Sequence, residues 1–164
     1  MFGGRTLSLA DLQNDIVDMS SSRLVMLSAC ETGITDIMKG IANEFIGSPA
    51  GFMLVGVPCV VSSLWSIPDI STAILMERFY SNPVASGMEI PVALQDAQLW
   101  VRNLTANQVK DYVEKCYCSG KWEGESKEFI EQYRKRCLEM AQKSPEEKPF
   151  QHPYYWAAST VNGA

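Results

Sequence analysis

Two short, nearly continuous apolar runs, at residues 23–29 and 59–65, constrain this chain more than any other feature. A strand with one face in water alternates apolar and polar residues. A run without alternation predicts a strand covered on both faces, as in a parallel sheet flanked by helices. The second run is rich in β-branched residues, which strengthens the strand reading. Parallel strands need a crossover between them. Residues 36–47, begun by Asp36, read as a helix, and Pro49 suits the first turn of a second helix reaching Val55.

The remaining pattern continues the alternation of elements. Before the first run, Leu7, Leu9 and Leu12 read as a segment leading into a helix, with Ser8 as its cap. After the second run, Asp69 caps a helix predicted over 70–80. Residues 82–89 read as a loop. Pro91 begins a helix in which Ala93, Ala97, Trp100 and Leu104 share a stripe, with Leu94 and Val101 beside it. Residues 108–143 are charge-rich and helical, interrupted at 120–124. Phe129, Tyr133, Arg136 and Met140 fall on one side, and Glu131 and Lys135 form an i,i+4 pair. Residues 144–149 read as a loop and 154–161 as a final strand. The order predicts an α/β fold in one domain.

Composition narrows the function classes. Forty-six per cent of the 164 residues are hydrophobic, enough for a core. The net charge of −5, with no basic block, argues against nucleic acid as a partner. The longest apolar run, around 52–61, is too short to span a bilayer and contains Pro58, so no membrane association is expected. No signal peptide is visible, and five cysteines in such a chain read as reduced thiols in a cytoplasmic protein. Cys116 and Cys118, with Cys137 further on, raise a zinc or redox reading. Their spacing does not match a zinc ribbon, and no nearby histidine completes the set. No metal and no cofactor are expected.

The chemistry concentrates where the first run ends. Cys30 follows it directly, before the polar turn Glu31-Thr32-Gly33. It reads either as a small buried apolar residue or as a nucleophile, which would need a base, a cation or a helix N-terminus to make it a thiolate. Trp65 ends the second run. Parallel strands joined by a right-handed crossover bring Cys30 and Trp65 to one edge of the sheet, where open α/β sheets bind ligands. Trp65 is either packing or a pocket wall. Asp69 is a helix cap or a pocket carboxylate for a basic substrate side chain. Cys59, at the opposite end of its strand, reads as core. His152 is the one histidine in the sequence. It reads as a surface residue unless it comes within hydrogen-bond reach of the thiol.

These residues resemble a known family. Leu27-Ser28-Ala29-Cys30-Glu31-Thr32-Gly33 is similar to the signature of CHAT domains, caspase-like proteases associated with tetratricopeptide repeats. Gly51-Phe52, Gly56-Val57-Pro58 and Val60-Val61-Ser62-Ser63-Leu64-Trp65 resemble its next block. Thr72, Arg78-Phe79-Tyr80, the helix from Pro91 to Trp100, and His152-Pro153-Tyr154-Tyr155-Trp156-Ala157-Ala158 resemble later ones. The resemblance implies a caspase-like three-layer α/β/α fold around a mainly parallel sheet, lacking its N-terminal strands. Residues 1–164 would form the C-terminal part of the domain, with a charged helical insertion at about 106–148.

It also implies a cysteine endopeptidase, a hydrolase of the thiol protease class. Cys30 would be catalytic, and Trp65 and Asp69 would bind substrate near the residue before the cut. Some relatives of this clan prefer a basic residue there, although Pro68 stands where the family often has an acidic one. The family's catalytic histidine lies in a His-Gly motif on a strand preceding this chain, and His152 matches a different position. The chain alone is therefore expected to be inactive. The alternative is a non-catalytic scaffold or regulatory interaction module. Expected partners are a protein or peptide substrate, tetratricopeptide repeats or an N-terminal part, and a second copy through exposed sheet edges.

Overall fold

The run at 59–65 becomes the middle strand of a three-stranded sheet. A computed structural model of the protein describes residues 19, 21–27, 48–67, 69–81, 87–119 and 127–163. Among them are β1 (Val25–Met26), α1 (Ser48–Leu54), β2 (Cys59–Ser63), α2 (Asp69–Ser81), α3 (Ile90–Asn103), α4 (Ala106–Cys118), α5 (Lys127–Lys143), a 3-10 turn (Pro153–Tyr155) and β3 (Ser159–Gly163). The expected helix at 36–47, the leading segment around Leu7–Leu12, the end of the first run and the break at 120–124 lie outside the described residues.

The sheet order is β1-β2-β3. β2 is buried along its length, with Val60 and Val61 at 0% and 1% exposure. That burial matches the unbroken apolar run that encodes it. β1 pairs with β2 in parallel, Val25 opposite Val60 and Met26 opposite Val61. The Leu27 N–H donates to the Val61 carbonyl at 2.8 Å, which carries the pairing past the end of β1. Residues 24–27 are only half-buried, so the first run is less enclosed than its sequence predicts.

The other neighbour of β2 has the opposite direction, and the expected bounds of the last strand are corrected. β3 runs antiparallel to β2, with Val60 opposite Asn162 and Ser62 opposite Thr160. Of the two described pairings, one is thus parallel and one antiparallel. The strand expected at 154–161 begins only at Ser159. The aromatic residues before it form the 3-10 turn, opened by Pro153 and closed by Trp156 and Ala157 donating to the Pro153 carbonyl at 3.2 and 2.9 Å. This turn delivers the chain beside the end of β2, so β3 must run back along it.

Sequence chemistry explains the elements around the sheet. α1 ends before Gly56, whose φ of +93° is costly for any residue with a Cβ. The Gly56 and Val57 N–H groups cap the Met53 and Phe52 carbonyls at 3.1 Å each. α2 buries Ile70, Ile74, Leu75 and Phe79 against Ala93, Leu94, Ala97 and Val101 of α3. Both sets follow helical spacing. Arg78 of α2 pairs with Asp96 of α3 at 3.0 Å and lies 5.3 Å from the centroid of the Trp100 ring. α4 is opened by a capping box: Thr105 Oγ1 accepts from the Gln108 N–H at 3.3 Å, and Gln108 Oε1 accepts from the Thr105 N–H at 2.9 Å.

The charge-rich segment is joined to the core. Val109 and Val113 of α4 and Cys137 of α5 belong to the same apolar cluster as Val61, Ile74 and Phe79. Tyr112 donates to the Glu77 carboxylate of α2. The charges sit on the remaining faces. Arg134 of α5 grips Glu114 of α4 with two hydrogen bonds of 2.7 and 2.8 Å and stacks over Tyr117 at 4.4 Å. The expected Glu131–Lys135 pair gives way to a cross-helix contact with Tyr117 of α4 and to the approach of Arg134 within α5. Glu131 accepts from the Tyr117 hydroxyl at 3.0 Å and lies 4.0 Å from Arg134. The Tyr117 phenol reaches Glu131 from α4, and Arg134 approaches it from one turn along α5.

Truncating Ile74, fully buried between α2 and α3, to alanine is expected to cost about 2–5 kcal/mol in urea unfolding. Lys135→Ala is expected to stay within about 0.5 kcal/mol, since Lys135 is exposed and lacks the expected pairing. A large effect of Lys135→Ala would contradict the cross-helix arrangement.

Candidate active site at the edge of the sheet

The C-terminal ends of β1 and β2 meet at a slot of about 80 Å3. Its floor is Val61, Ser62 and Ser63 of β2, and Met26 and Leu27 form one side. Thr72 and Met76 of α2 form the other, and Trp65 and Ile67 close it from the connection between β2 and α2. Every described residue lining it is uncharged.

Trp65 is fixed at both ends. Its indole Nε1–H donates to the Tyr154 carbonyl at 2.9 Å, and its own carbonyl accepts from the Ser63 hydroxyl at 2.6 Å. The first contact ties the β2–α2 connection to the 3-10 turn, 89 residues away in sequence. A half-buried indole held at its nitrogen and its backbone has little freedom to turn. Trp65 therefore packs against the 3-10 turn and lines the slot at once.

Asp69 opens α2. Thr72 and Met76 follow it at i+3 and i+7, the spacing of one helix face, and both line the slot. Cys30, the nucleophile expected from the sequence, lies outside the described residues. The chain leading to it is described as far as Leu27, which lines the slot and is anchored to Val61. Three residues reach at most about 11 Å from there.

His152 does not present a free base. It is exposed, and its Nδ1 accepts from the Tyr154 N–H at 3.2 Å, capping the 3-10 turn. That bond engages the Nδ1 lone pair within the turn itself. Among the other thiols, Cys59, Cys116 and Cys137 are buried and Cys118 is exposed. Burial pushes the Cys59 and Cys137 thiols up, away from the thiolate form. Cys116 and Cys118 lie about 200° apart around α4 and do not converge. No cluster of three or more His, Cys, Asp or Glu that would hold a metal occurs among the described residues.

Sequence reasoning singled out Trp65 and Asp69 but missed the hydroxyl groups of Ser62, Ser63 and Thr72 around them. The helical spacing from Asp69 was the available signal for Thr72 and Met76. The partnership of Trp65 with a backbone carbonyl had no local signal.

Comparison with known proteins gives one result. The family model described as CHAT domain matches residues 2–164. No curated protein matches the chain, and no solved structure does.

Protonation at the buried groups sets a pH limit. The folded-state values of Cys59, Cys137, Tyr112 and Tyr133 are all raised, chiefly by burial. Stability from keeping them neutral is whole below the ordinary thiol pKa of about 8.5 and is lost as pH rises through the raised values. The melting temperature is expected to hold from pH 7 to 8 and to fall above about pH 9. Cys137→Ala is expected to lessen that fall, and a melting temperature that climbs from pH 8 to 10 would contradict the assignment.

Proposed function

The chain belongs to the CHAT domain family, and we propose that it is the nucleophile-bearing part of a caspase-like cysteine endopeptidase that hydrolyses peptide bonds. The reading takes the fold to be the caspase-like three-layer arrangement, with residues 106–148 as a charged helical insertion. One observation carries it. The segment running into Cys30 lines a slot at the sheet edge, walled by a doubly anchored tryptophan. That edge is where α/β sheets receive ligands.

In this reading the Cys30 thiolate attacks the carbonyl carbon of the scissile peptide. Backbone N–H groups at the turn after it hold the oxyanion. Collapse expels the amine, which takes a proton from the imidazolium formed when the base deprotonated Cys30. Water then releases the acyl group from the sulfur by the reverse sequence. With His152 engaged at Nδ1, the base is a histidine from outside residues 1–164, and the isolated chain turns over poorly. Trp65 lies against the substrate residue before the cut. Asp69, on the helix face of Thr72 and Met76, favours a basic side chain there through its negative charge.

Partners follow from the same chemistry: a protein or peptide substrate, and tetratricopeptide repeats of the kind this family accompanies. A second copy is a further candidate partner at the sheet edge. No described helix is long and apolar enough to cross a membrane. The four described cysteines are free thiols, which suits a reducing, cytoplasmic setting.

The test is turnover of a quenched-fluorescence peptide library. We expect the 164-residue chain alone to stay at background. Joined to its upstream His-Gly segment it should turn over, with Cys30→Ala reducing the rate at least about 1,000-fold. Asp69→Asn should lower kcat/KM about tenfold for Lys or Arg before the cut and leave other peptides nearly unchanged. Normal turnover after Cys30→Ala would overturn the peptidase reading. A folded, extended chain with no turnover on any peptide would favour a non-catalytic scaffold.

A further inference from the structure

A cavity of about 680 Å3 lies beside the slot and not in it. It runs along one face of α5, where Tyr133, Arg136, Met140 and Lys143 recur at helical spacing. Its far wall is Ile70, Phe150 and Tyr155. Two of these adjoin the candidate site directly: Ile70 follows Asp69, and Tyr155 follows Tyr154, whose carbonyl holds Trp65. The rings of Tyr154 and Tyr155 are 5.3 Å apart, and those of Tyr155 and Phe150 5.5 Å. One aromatic ridge therefore leads from the Trp65 slot into the cavity.

The lining has a distinct chemistry. The floor is apolar and aromatic. The rim carries both signs, Arg136 and Lys143 against Glu139 and Glu147, all exposed and none in an ion pair among the described residues. A lipid tail would leave four charges unmatched, and a phosphorylated ligand would meet two carboxylates. An extended polypeptide offers apolar side chains, charges of both signs and its own amides. From Tyr133 to Lys143 the face is about 15 Å long, room for four or five extended residues.

Resting on the peptidase reading above, the geometry points to this cavity as an extended substrate subsite. It takes a peptide segment several residues from the scissile bond, carrying a large apolar side chain with charged neighbours. The apolar side chain sits against Met140, Phe150 and Tyr155. The rim pairs with the flanking charges and fixes the direction of the chain. Substrate choice is then set at two separate places, the residue before the cut at the Trp65 slot and an anchor residue at α5.

The probe is a phage-displayed library of random dodecapeptides, selected on the Cys30→Ala protein. The best binder is labelled with fluorescein and titrated by anisotropy. Enrichment of Phe, Tyr, Trp, Leu or Met at one fixed position is expected. Met140→Glu should weaken binding about tenfold or more, since it places a charge on the apolar floor. Arg136→Glu with Lys143→Glu, both on the exposed rim, should shift selection from flanking charges of both signs to basic ones. Unchanged affinity in a folded Met140→Glu protein, or unchanged flanking preference after rim reversal, would overturn the proposal. No enriched peptide would overturn it too. The two readings fail separately. Loss of binding in Trp65→Ala with none in Met140→Glu leaves the site and removes the subsite. Loss in Met140→Glu, together with Cys30-independent turnover in the extended chain, leaves the subsite and removes the peptidase.

Discussion

The pairing of β2 on both sides is the constraint on which the rest of the structure depends. Val60 and Val61 are sealed from water, so their backbone groups must find partners within the sheet. On one side they take β1 in parallel, and on the other β3 antiparallel. Ser62, buried in the same strand, receives a hydrogen bond from Asn162 at 3.2 Å. Because a one-residue slip of β2 would exchange the side chains packed on its two buried faces, the strand ends are fixed in register. The slot is a consequence: Leu27 bonds to Val61, Trp65 follows Ser63, and both reach the same rim.

A second layer of organisation comes from α4 and α5. Their charges look, in composition, like those of a solvated appendage. Their apolar faces nevertheless join the core through Val109, Val113 and Cys137, and Tyr112 ties α4 to Glu77 of α2. α2 carries Asp69 at its start and Thr72 and Met76 on the slot. The same helix thus supports both the candidate site and the charge-rich segment.

The sequence was informative where burial is repetitive. The unbroken run at 59–65 announced a buried strand, and helical spacing announced α2 and α3 with their inward faces. It was less informative where a turn competes with a strand. Tyr154, Tyr155 and Trp156 have strong strand preference, yet Pro153 at the first position and the His152 cap commit them to a 3-10 turn. The antiparallel course of β3 follows from that turn. The Thr105–Gln108 capping box was readable and marks the true start of α4 before residue 108. At the site, Trp65 and Asp69 stood out, but the contact holding Trp65 joins residues 89 apart through a backbone carbonyl. No side-chain pattern encodes such a partner. His152 was legible as a histidine, and only its bond to the Tyr154 N–H shows its lone pair already in use.

The central claim is that the sheet edge beneath Trp65 receives a peptide carbonyl at Cys30. The most direct test is mass spectrometry of the extended protein after exposure to a peptidyl acyloxymethyl ketone, which alkylates a cysteine aligned for acyl attack. The account predicts one adduct, on Cys30, formed much more slowly in Trp65→Ala. An adduct on the exposed Cys118 with Cys30 untouched, or labelling of Cys30 indifferent to Trp65, would contradict it.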